Sequence, residues 1–339
     1  QDPFFEEILL AFHNVMSAGM QTNFLVNTFP VLLHVRNWFP GTSWKRLGRE
    51  LGAQKYKAKT ELYEWAKPQV ARGSHQPSLL GSLLQDHKLL LGLTPRDRDE
   101  RLKKVGAIMF GGGTDTASSS AANWLSIFDM QSSFQSANSV VSFVAAMVLN
   151  PHVQARGQQE LDSVLGQCAL PSVSDKERLP YIRNLIGEVF RLYPVAPLAL
   201  PHVFSGRHLQ RLRYLKGDNY LGKCLVRAIG RDPRHYEKPE LFNPDRYLDP
   251  DVPRPPVFGW GRRKCPGVHF AESSVFINAA SILATFTFSK KRDDNGREII
   301  PQIEVERNSI MFELKPFDFE FKPRSEEHRQ LILGANTEE

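Results

Sequence analysis

The chain has 339 residues, of which 41% are hydrophobic and 24% are charged. This length and composition suit one large globular domain or two ordinary ones, and they exclude a mostly disordered chain. Lysine and arginine outnumber aspartate and glutamate by 43 to 37, but the basic residues are scattered, so the net charge of +6 does not indicate nucleic-acid binding.

The cysteines and the apolar runs exclude two further classes of protein. Cys168, Cys224 and Cys265 have neither zinc-like nor C-x-x-C spacing, so neither a disulfide scaffold nor a zinc site is predicted. The longest apolar run, residues 143–149, is far shorter than the roughly 20 residues of a membrane helix. We expect no membrane span and no targeting segment between Gln1 and the end of the chain.

The first third of the chain predicts helices. Residues 4–67 are amphipathic and are interrupted at residues 38–41, where a proline and a glycine mark a turn. Residues 96–104 mix both charge signs just before an apolar stretch, which is typical of the solvated start of a helix. This helix then meets three glycines at 111–113, each costing about 1 kcal/mol relative to alanine. Such a cost indicates a specific role for the glycines.

The middle of the chain contains one clear helix between two irregular segments. Residues 117–138 are rich in Ser, Ala, Gln and Asn, with weak periodicity, and an apolar helix follows them. The apolar spacing over 182–190 predicts an amphipathic helix that ends before Pro194. Glu188 and Arg191 lie three residues apart on it, so their side chains are neighbours. Residues 202–225 carry almost no local signal.

The last third predicts a further helix and some sheet. Residues 268–288 have the pattern of a helix, and the pair Asn295-Gly296 suggests a hairpin. The pattern as a whole predicts a mainly α chain with a small β part.

A single cysteine lies in a basic, glycine-rich loop at residues 258–267, FGWGRRKCPG, which opens the helix starting near Val268. The positive end of that helix and the neighbouring cations Arg262, Arg263 and Lys264 favour the thiolate form of Cys265 by lowering the pKa of its thiol. The glycines allow a tight turn and the close approach of a bulky, iron-bearing partner.

Four motifs resemble those of one family. The spacing of Phe258, Gly261, Arg263, Cys265 and Gly267 is similar to the haem-binding signature of the cytochrome P-450 superfamily. Three other segments are similar to the family's motifs and follow in its order: residues 113–116 to the oxygen-activation helix, Glu188 with Arg191 to the ExxR pair, and residues 242–247 to the meander box. The resemblance implies the cytochrome P-450 fold, mainly α with a small β part, of which this chain is the C-terminal portion.

The resemblance implies a cofactor and the residues that bind it. The cofactor would be haem b, iron protoporphyrin IX, with Cys265 as the axial thiolate that donates electron density to the iron. Phe258 would cover the sulfur, Gly261 and Gly267 would give the loop its turn, and Arg263 would pair with a haem propionate.

Two more groups of residues take roles from the same resemblance. Glu188, Arg191 and Arg246 would form the ion-pair network that supports the cysteine loop from behind. Thr116 and Asp115 would pass protons beside the dioxygen site, where the glycines are expected to open the helix locally.

The implied activity is a haem-thiolate monooxygenase, which inserts one oxygen atom of dioxygen into a small, apolar organic substrate. Electrons would come from an NADPH-dependent cytochrome reductase, docked near Arg262 and Lys264, and no nucleic acid is involved. The family implies the endoplasmic reticulum membrane, with association only through an N-terminal anchor that this chain does not contain.

The chain departs from the family pattern in several places. Residues 1–339 are interpreted as a partial cytochrome P-450 domain without the N-terminal anchor and first sheet. Residues 117–138 are interpreted as an insertion and residues 202–225 as an altered segment, and Ala117 replaces a hydroxyl often found there. These departures leave an alternative open: a non-catalytic remnant or mis-spliced fragment with weak or no haem binding.

Overall fold

Helices make up most of the computed structural model, which describes residues 3–20, 22–74, 77–85, 91–117, 138–199, 208–209, 212–213, 226–305 and 311–334. The chain divides into two compact units. The first comprises Gln1–Asp115 with Asn308–Ile310, and the second comprises Thr116–Arg307 with Met311–Glu339.

The helices predicted for the first third are present. They are α1 (Pro3–Gly19), α2 (Leu25–Thr28), a 3₁₀ turn (Pro30–His34), α3 (Ser43–Ala71), α4 (Leu79–Gln85) and α5 (Pro95–Ala117). The predicted break before α3 is confirmed, and Gly41 within it has a φ of 85°. Glycine adopts this left-handed conformation without the steric cost that a Cβ brings.

In the first unit α1 packs along α3. Ile8 and Ala11 of α1 are buried against Ala58 of α3. Salt bridges join α3 to the start of α5: Lys59 to Glu100 and Lys67 to Asp99, each at 2.9 Å, and Glu64 to Lys103 at 3.3 Å. The charged residues at the start of α5 lie partly in solvent, as the mixed-sign pattern predicts, and partly against α3, which it does not predict.

The second unit consists of further helices and two small sheets. Its elements are α6 (Asn138–Leu149), α7 (Pro151–Leu165), a 3₁₀ turn (Val173–Arg178), α8 (Pro180–Leu192), β1 (His208–Leu209), β2 (Leu212–Arg213), α9 (Val226–Ile229), 3₁₀ turns at Pro244–Leu248 and Gly261–Arg263, α10 (Val268–Thr285), β3 (Phe286–Ser289), β4 (Glu320–Pro323) and α11 (Glu326–Gly334). Each sheet is one antiparallel pair, β1 with β2 and β3 with β4.

Helix α8 lies in the core of this unit because its apolar face meets α6, α7 and α10. Ile182 and Leu185 have no exposed surface. Pro180 starts the helix, where its missing N–H costs nothing. The Glu160 carboxylate of α7 accepts the next two backbone N–H groups, from Tyr181 at 2.8 Å and Ile182 at 2.9 Å. The helix ends at Leu192, before Pro194, as predicted.

The helix predicted over 268–288 ends earlier, at Thr285. The expectation was wrong for the last three residues because Phe286–Ser289 pair with β4 as a strand. Phe286 and Phe288 point into the core, and the side chain of Gln154 bonds the backbone of Phe288 in both directions, at 2.9 Å and 2.7 Å. These contacts stabilise the strand where the local pattern favours a helix.

The remaining expectations concern loops and irregular segments. The hairpin predicted at Asn295-Gly296 is confirmed by an antiparallel bridge between Arg292 and Glu298. The proposed insertion lies between the end of α5 at Ala117 and the start of α6 at Asn138, and residues 118–137 are outside the described part of the chain. Most of residues 202–225 is outside it as well. Both interpretations stay predictions.

None of the helices in the described residues has the length and apolar character that crossing a bilayer requires.

Candidate active site

A buried cluster of charges surrounds Glu188 on α8. Both of its carboxylate oxygens accept from Arg191, with Nε to Oε2 and Nη2 to Oε1 each at 2.8 Å. Arg246 donates its Nε to the same two oxygens, at 3.0 Å and 3.1 Å. Glu188 and Arg191 are 0% exposed and Arg246 is 9% exposed. The structure thus brings together the three residues of the predicted ion-pair network.

Both guanidinium groups also donate hydrogen bonds to backbone carbonyl oxygens. Arg191 donates to the carbonyl oxygens of Gly230, Pro239 and Leu241, and Arg246 donates to those of Glu237 and Leu241. Because buried charges are tolerated only when they are paired and hydrogen-bonded, this pattern removes most of the cost of burial. It also fixes the chain from 230 to 246 against α8.

An aromatic residue completes the cluster. The ring of Tyr236 lies 5.2 Å from the guanidinium of Arg191 and 6.0 Å from that of Arg246, within cation–π range. Its hydroxyl donates to the carbonyl of Pro253 at 2.9 Å. Burial raises the pKa of Tyr236 above its ordinary value. Sequence analysis missed this tyrosine, because nothing in its local pattern marks it.

A backbone hydrogen bond closes the cysteine loop, which leads directly into α10. The Cys265 N–H donates to the carbonyl of Phe258 at 2.8 Å, which joins the two ends of the loop. Gly259 and Gly261 have φ values of 71° and 58°, so the loop requires residues that adopt the left-handed region. Gly267 is the N-cap of α10. This geometry places Cys265 three residues before the first residue of a long helix, as predicted.

The loop also rests on α8. The ring of Phe258 contacts Phe190 edge to face, with centroids 5.7 Å apart and an interplanar angle of 86°. Phe190 lies on the same helix as Glu188, so the charged cluster and the cysteine loop share one rigid support. The apolar spacing over 182–190 predicts only that Phe190 lies on the apolar face of α8, and its contact with Phe258 is a tertiary one.

The segment before the loop is fixed to the same helix by Arg254. Its guanidinium stacks on the ring of Tyr247 with a centroid distance of 3.9 Å. It also donates to the side-chain oxygen of Asn184 and, at 3.3 Å, to the carbonyl of Arg183 on α8. Burial lowers the pKa of Arg254. Contacts with α8 therefore hold the chain both before and within the cysteine loop.

The functional face of the loop is open to solvent. Cys265 is an exposed free thiol, and Arg263 is exposed as well. Within the described residues, Arg263 makes neither a hydrogen bond nor an ion pair with the protein, so its guanidinium is available for an anion. A Cβ placed on Gly261 would meet nothing within 4 Å, and one on Gly267 would meet the Cys265 sulfur at 3.9 Å.

We expect Gly261→Ala to destabilise the folded protein by about 1–2 kcal/mol. The Cβ of alanine clashes with the backbone at positive φ, whereas glycine has no Cβ. Gly267→Ala is the matched control: its φ is −87° and its added methyl group makes only an ordinary contact. Urea denaturation of both variants measures the difference. Equal midpoints would contradict the strain assigned to Gly261.

The other predicted site residues lie at the end of α5. Asp115 and Thr116 fall within its last three residues. The local opening expected at the three glycines is absent from the described helix, which continues in α form through residues 111–113. Packing explains why residue 111 is a glycine, because a Cβ there would lie 2.7 Å from the Phe12 ring of α1.

Comparison with known proteins identifies the family. A family model described as Cytochrome P-450 matches residues 135–319, more than half of the chain. The chain belongs to the cytochrome P-450 family. Cytochrome P-450 monooxygenase 98 of Postia placenta is 35% identical to it, over 98% of this chain and 62% of that protein. A multifunctional cytochrome P-450 monooxygenase of Aspergillus fumigatus is 32% identical, over 100% of this chain and 61% of that protein.

A solved structure supports the same fold. A zebra fish cytochrome P-450, whose structure was determined with progesterone, matches with a TM-score of 0.67 and 22% identity, covering 95% of this chain and 65% of that one. The mainly α cytochrome P-450 fold with a small β part is thereby confirmed. The chain spans about three fifths of the length of the curated relatives named above, 62% and 61%.

Membership of the cytochrome P-450 family implies a haem cofactor, and the residues of the loop fit one. Cys265 offers an exposed sulfur, a soft donor suited to iron, in front of the positive end of α10. Arg263 offers a carboxylate its guanidinium, which has no partner among the residues that the structure describes. Gly259 and Gly261 carry no side chain that would obstruct a flat ring.

Proposed function

We propose that this chain is the haem-binding portion of a haem-thiolate monooxygenase that oxidises a small, apolar organic substrate. The observation that carries the proposal is the exposed Cys265 thiol at the start of α10, in a loop that rests on the helix of the buried Glu188 cluster. When bound, the haem would supply the activation of dioxygen.

Each residue of the loop has a distinct part in this proposal. Cys265 binds the iron as thiolate, and the positive end of α10 favours its negative charge. Arg263 pairs with a propionate of haem b. Phe258 would shield the sulfur from water once haem is bound, and Gly261 with Gly267 would keep the loop thin enough for the close approach of the haem.

The role of the charged cluster is to position the cysteine loop. Glu188 holds Arg191 and Arg246, and these fix the chain from 230 to 246 through carbonyl oxygens. Because the same helix carries Phe190, the position of the cysteine loop is set by a support with little freedom to move. Precise placement of the Cys265 sulfur is what a thiolate ligand of the haem iron would require.

Proton delivery is assigned to Thr116 and Asp115 at the end of α5. A hydroxyl and a carboxyl group are able to hold and pass protons at neutral pH. The electron donor is proposed to be an NADPH-dependent cytochrome reductase, attracted to the exposed cations Arg262 and Lys264. The endoplasmic reticulum membrane is the proposed location of the whole protein.

The test is the reduced carbon-monoxide difference spectrum of the haem-loaded protein. We expect a thiolate-type Soret band in the parent protein and its loss in Cys265→Ser, because a hydroxyl is a hard donor and does not replace a thiolate. Cys168→Ser is the matched control and should keep the band.

A spectrum without a thiolate-type band in the parent protein would reject the proposal in favour of a non-catalytic remnant with weak or no haem binding. A band that survives in Cys265→Ser but is lost in Cys168→Ser would reject the assignment of the ligand.

A further inference from the structure

An exposed apolar segment, residues 25–39, lies between helices α1 and α3. It contains α2 and the 3₁₀ turn Pro30–His34. Six of its large apolar side chains are exposed to solvent: Leu25, Phe29, Val31, Leu33, Trp38 and Phe39. Trp38 is 75% exposed. Large apolar side chains gathered on a surface mark a site of contact with another protein or with a membrane.

The exposed side chains belong to one surface. A cavity of about 590 Å³ opens between the apolar segment and the start of α3, and Leu25, Phe39 and Leu47 all line it. Leu47, on α3, is exposed as well. Residues that are far apart in the sequence therefore meet at one place, unlike the single exposed apolar residues of an ordinary protein surface.

Neighbouring side chains satisfy backbone groups of the apolar segment. Nζ of Lys45 donates to the carbonyl oxygens of Leu33, at 2.8 Å, and of Val35. The Thr42 hydroxyl donates to the carbonyl oxygen of Asn37 at 2.7 Å. Lipid offers no water to backbone polar groups, so a segment that enters a bilayer must satisfy them within the protein. These bonds meet that need at the carbonyls of residues 33, 35 and 37.

The charge of the surrounding chain indicates the partner. Residues 8–49 contain four cations, Arg36, Lys45, Arg46 and Arg49, and neither aspartate nor glutamate. Arg36 and Arg49 are exposed, and neither forms a salt bridge with another residue that the structure describes. Cations beside exposed apolar and aromatic side chains are typical of a surface that binds anionic lipids. A second copy of the chain would bring like charges together, which disfavours it as the partner.

We propose that the apolar segment inserts into the surface of an anionic phospholipid bilayer, with Arg36 and Arg49 paired to lipid head groups. Trp38 and Phe39 enter the boundary between head groups and acyl chains, where the apolar ring and polar N–H of tryptophan are both accommodated. The segment lies in the membrane surface and does not cross the bilayer. It adds a second attachment to the N-terminal anchor that the family implies, and it does not depend on haem.

The experiment measures co-sedimentation of the full chain with phosphatidylcholine vesicles, prepared with and without phosphatidylserine. We expect tighter binding when phosphatidylserine is present. Each arginine near an anionic membrane strengthens binding about five-fold, so Arg36→Gln with Arg49→Gln should weaken it about 25-fold. The matched control, Arg72→Gln with Arg101→Gln, removes two exposed cations outside this surface and should bind nearly as the parent does.

A second pair of variants tests the apolar side chains. Trp38→Gln with Phe39→Gln should weaken binding to both kinds of vesicle by at least about ten-fold, because two aromatic side chains are no longer buried in lipid. Trp65→Gln changes an exposed tryptophan of α3 and should bind as the parent does. Brominated acyl chains should quench the fluorescence of the parent more than that of Trp38→Phe. All the changed side chains are exposed, and circular dichroism verifies that each variant is folded.

The proposal is overturned if the parent does not sediment with phosphatidylserine vesicles, or if either double variant of the apolar surface binds as the parent does. Equal quenching in the parent and in Trp38→Phe would also overturn it, because Trp38 would then stay outside the lipid. Sedimentation velocity without lipid provides the remaining test. A dimer that Trp38→Gln with Phe39→Gln dissociates would show that a second copy covers the surface, and would likewise overturn the proposal.

Discussion

Glu188→Ala is expected to lower the free energy of unfolding by about 3–5 kcal/mol, because it leaves two buried guanidinium groups without their carboxylate. Arg191 is 0% exposed and Arg246 is 9% exposed, so water cannot replace the lost oxygens. Circular dichroism during urea denaturation measures the loss. A large fall in haem loading should accompany it, since the cluster shares α8 with the cysteine loop.

The matched control is Glu240→Ala. Glu240 also pairs with an arginine, Arg231, at 3.1 Å, but its side chain is 71% exposed. Exposed pairs contribute about 0–1 kcal/mol, so this variant should unfold almost as the parent does. If the two glutamate variants were equally stable, burial of the cluster would not matter and the positioning role of Glu188 would be wrong.

Arg191→Lys separates charge from geometry. Lysine keeps the positive charge but has no planar fork, so it cannot donate to both oxygens of Glu188 and to three carbonyls at once. We expect a loss of about 2–3 kcal/mol, the scale of hydrogen bonds to charged groups. A variant as stable as the parent would show that charge alone holds the cluster.

Gly157→Ala is expected to destabilise the second unit by about 1–3 kcal/mol through overpacking. Gly157 lies on α7 where it meets α10, and a Cβ there would lie 2.7 Å from Cδ2 of Leu283 and 3.3 Å from Cδ1 of Ile182. Both leucine and isoleucine are buried, so neither has room to move aside freely. The close approach of these helices depends on the missing methyl group.

A double-mutant cycle tests that contact directly. Leu283→Ala alone should cost about 2–5 kcal/mol because it leaves a cavity. The pair Gly157→Ala with Leu283→Ala should cost less than the sum of the single variants, because the new methyl group occupies part of that cavity. Additive losses would mean that the two positions do not touch.

Gly52→Ala is the control, because here we expect the stability of the protein to rise and not to fall. It lies within α3, is exposed, and has nothing within 4 Å of the added Cβ. Replacing glycine inside a helix should stabilise the protein by up to about 1 kcal/mol. A loss at Gly52 similar to that at Gly157 would remove packing as the explanation.

The sequence by itself determined the elements whose causes are local. The apolar spacing over 182–190 and the following proline predict α8, because helix periodicity and the geometry of proline act within a few residues. The spacing around Cys265 predicts a tight, glycine-dependent loop at the start of a helix, and the positive φ values of Gly259 and Gly261 agree with it.

Only the tertiary structure decided the contacts between residues far apart in the chain. Tyr236 contacts the charged cluster because residues 230–246 fold back on α8. Helix α10 ends at Thr285 because Phe286–Ser289 pair with β4. His328 meets Cys168 across 160 positions of sequence. No local propensity encodes such pairs, since their energy comes from burial and hydrogen bonds that exist only once the core has formed.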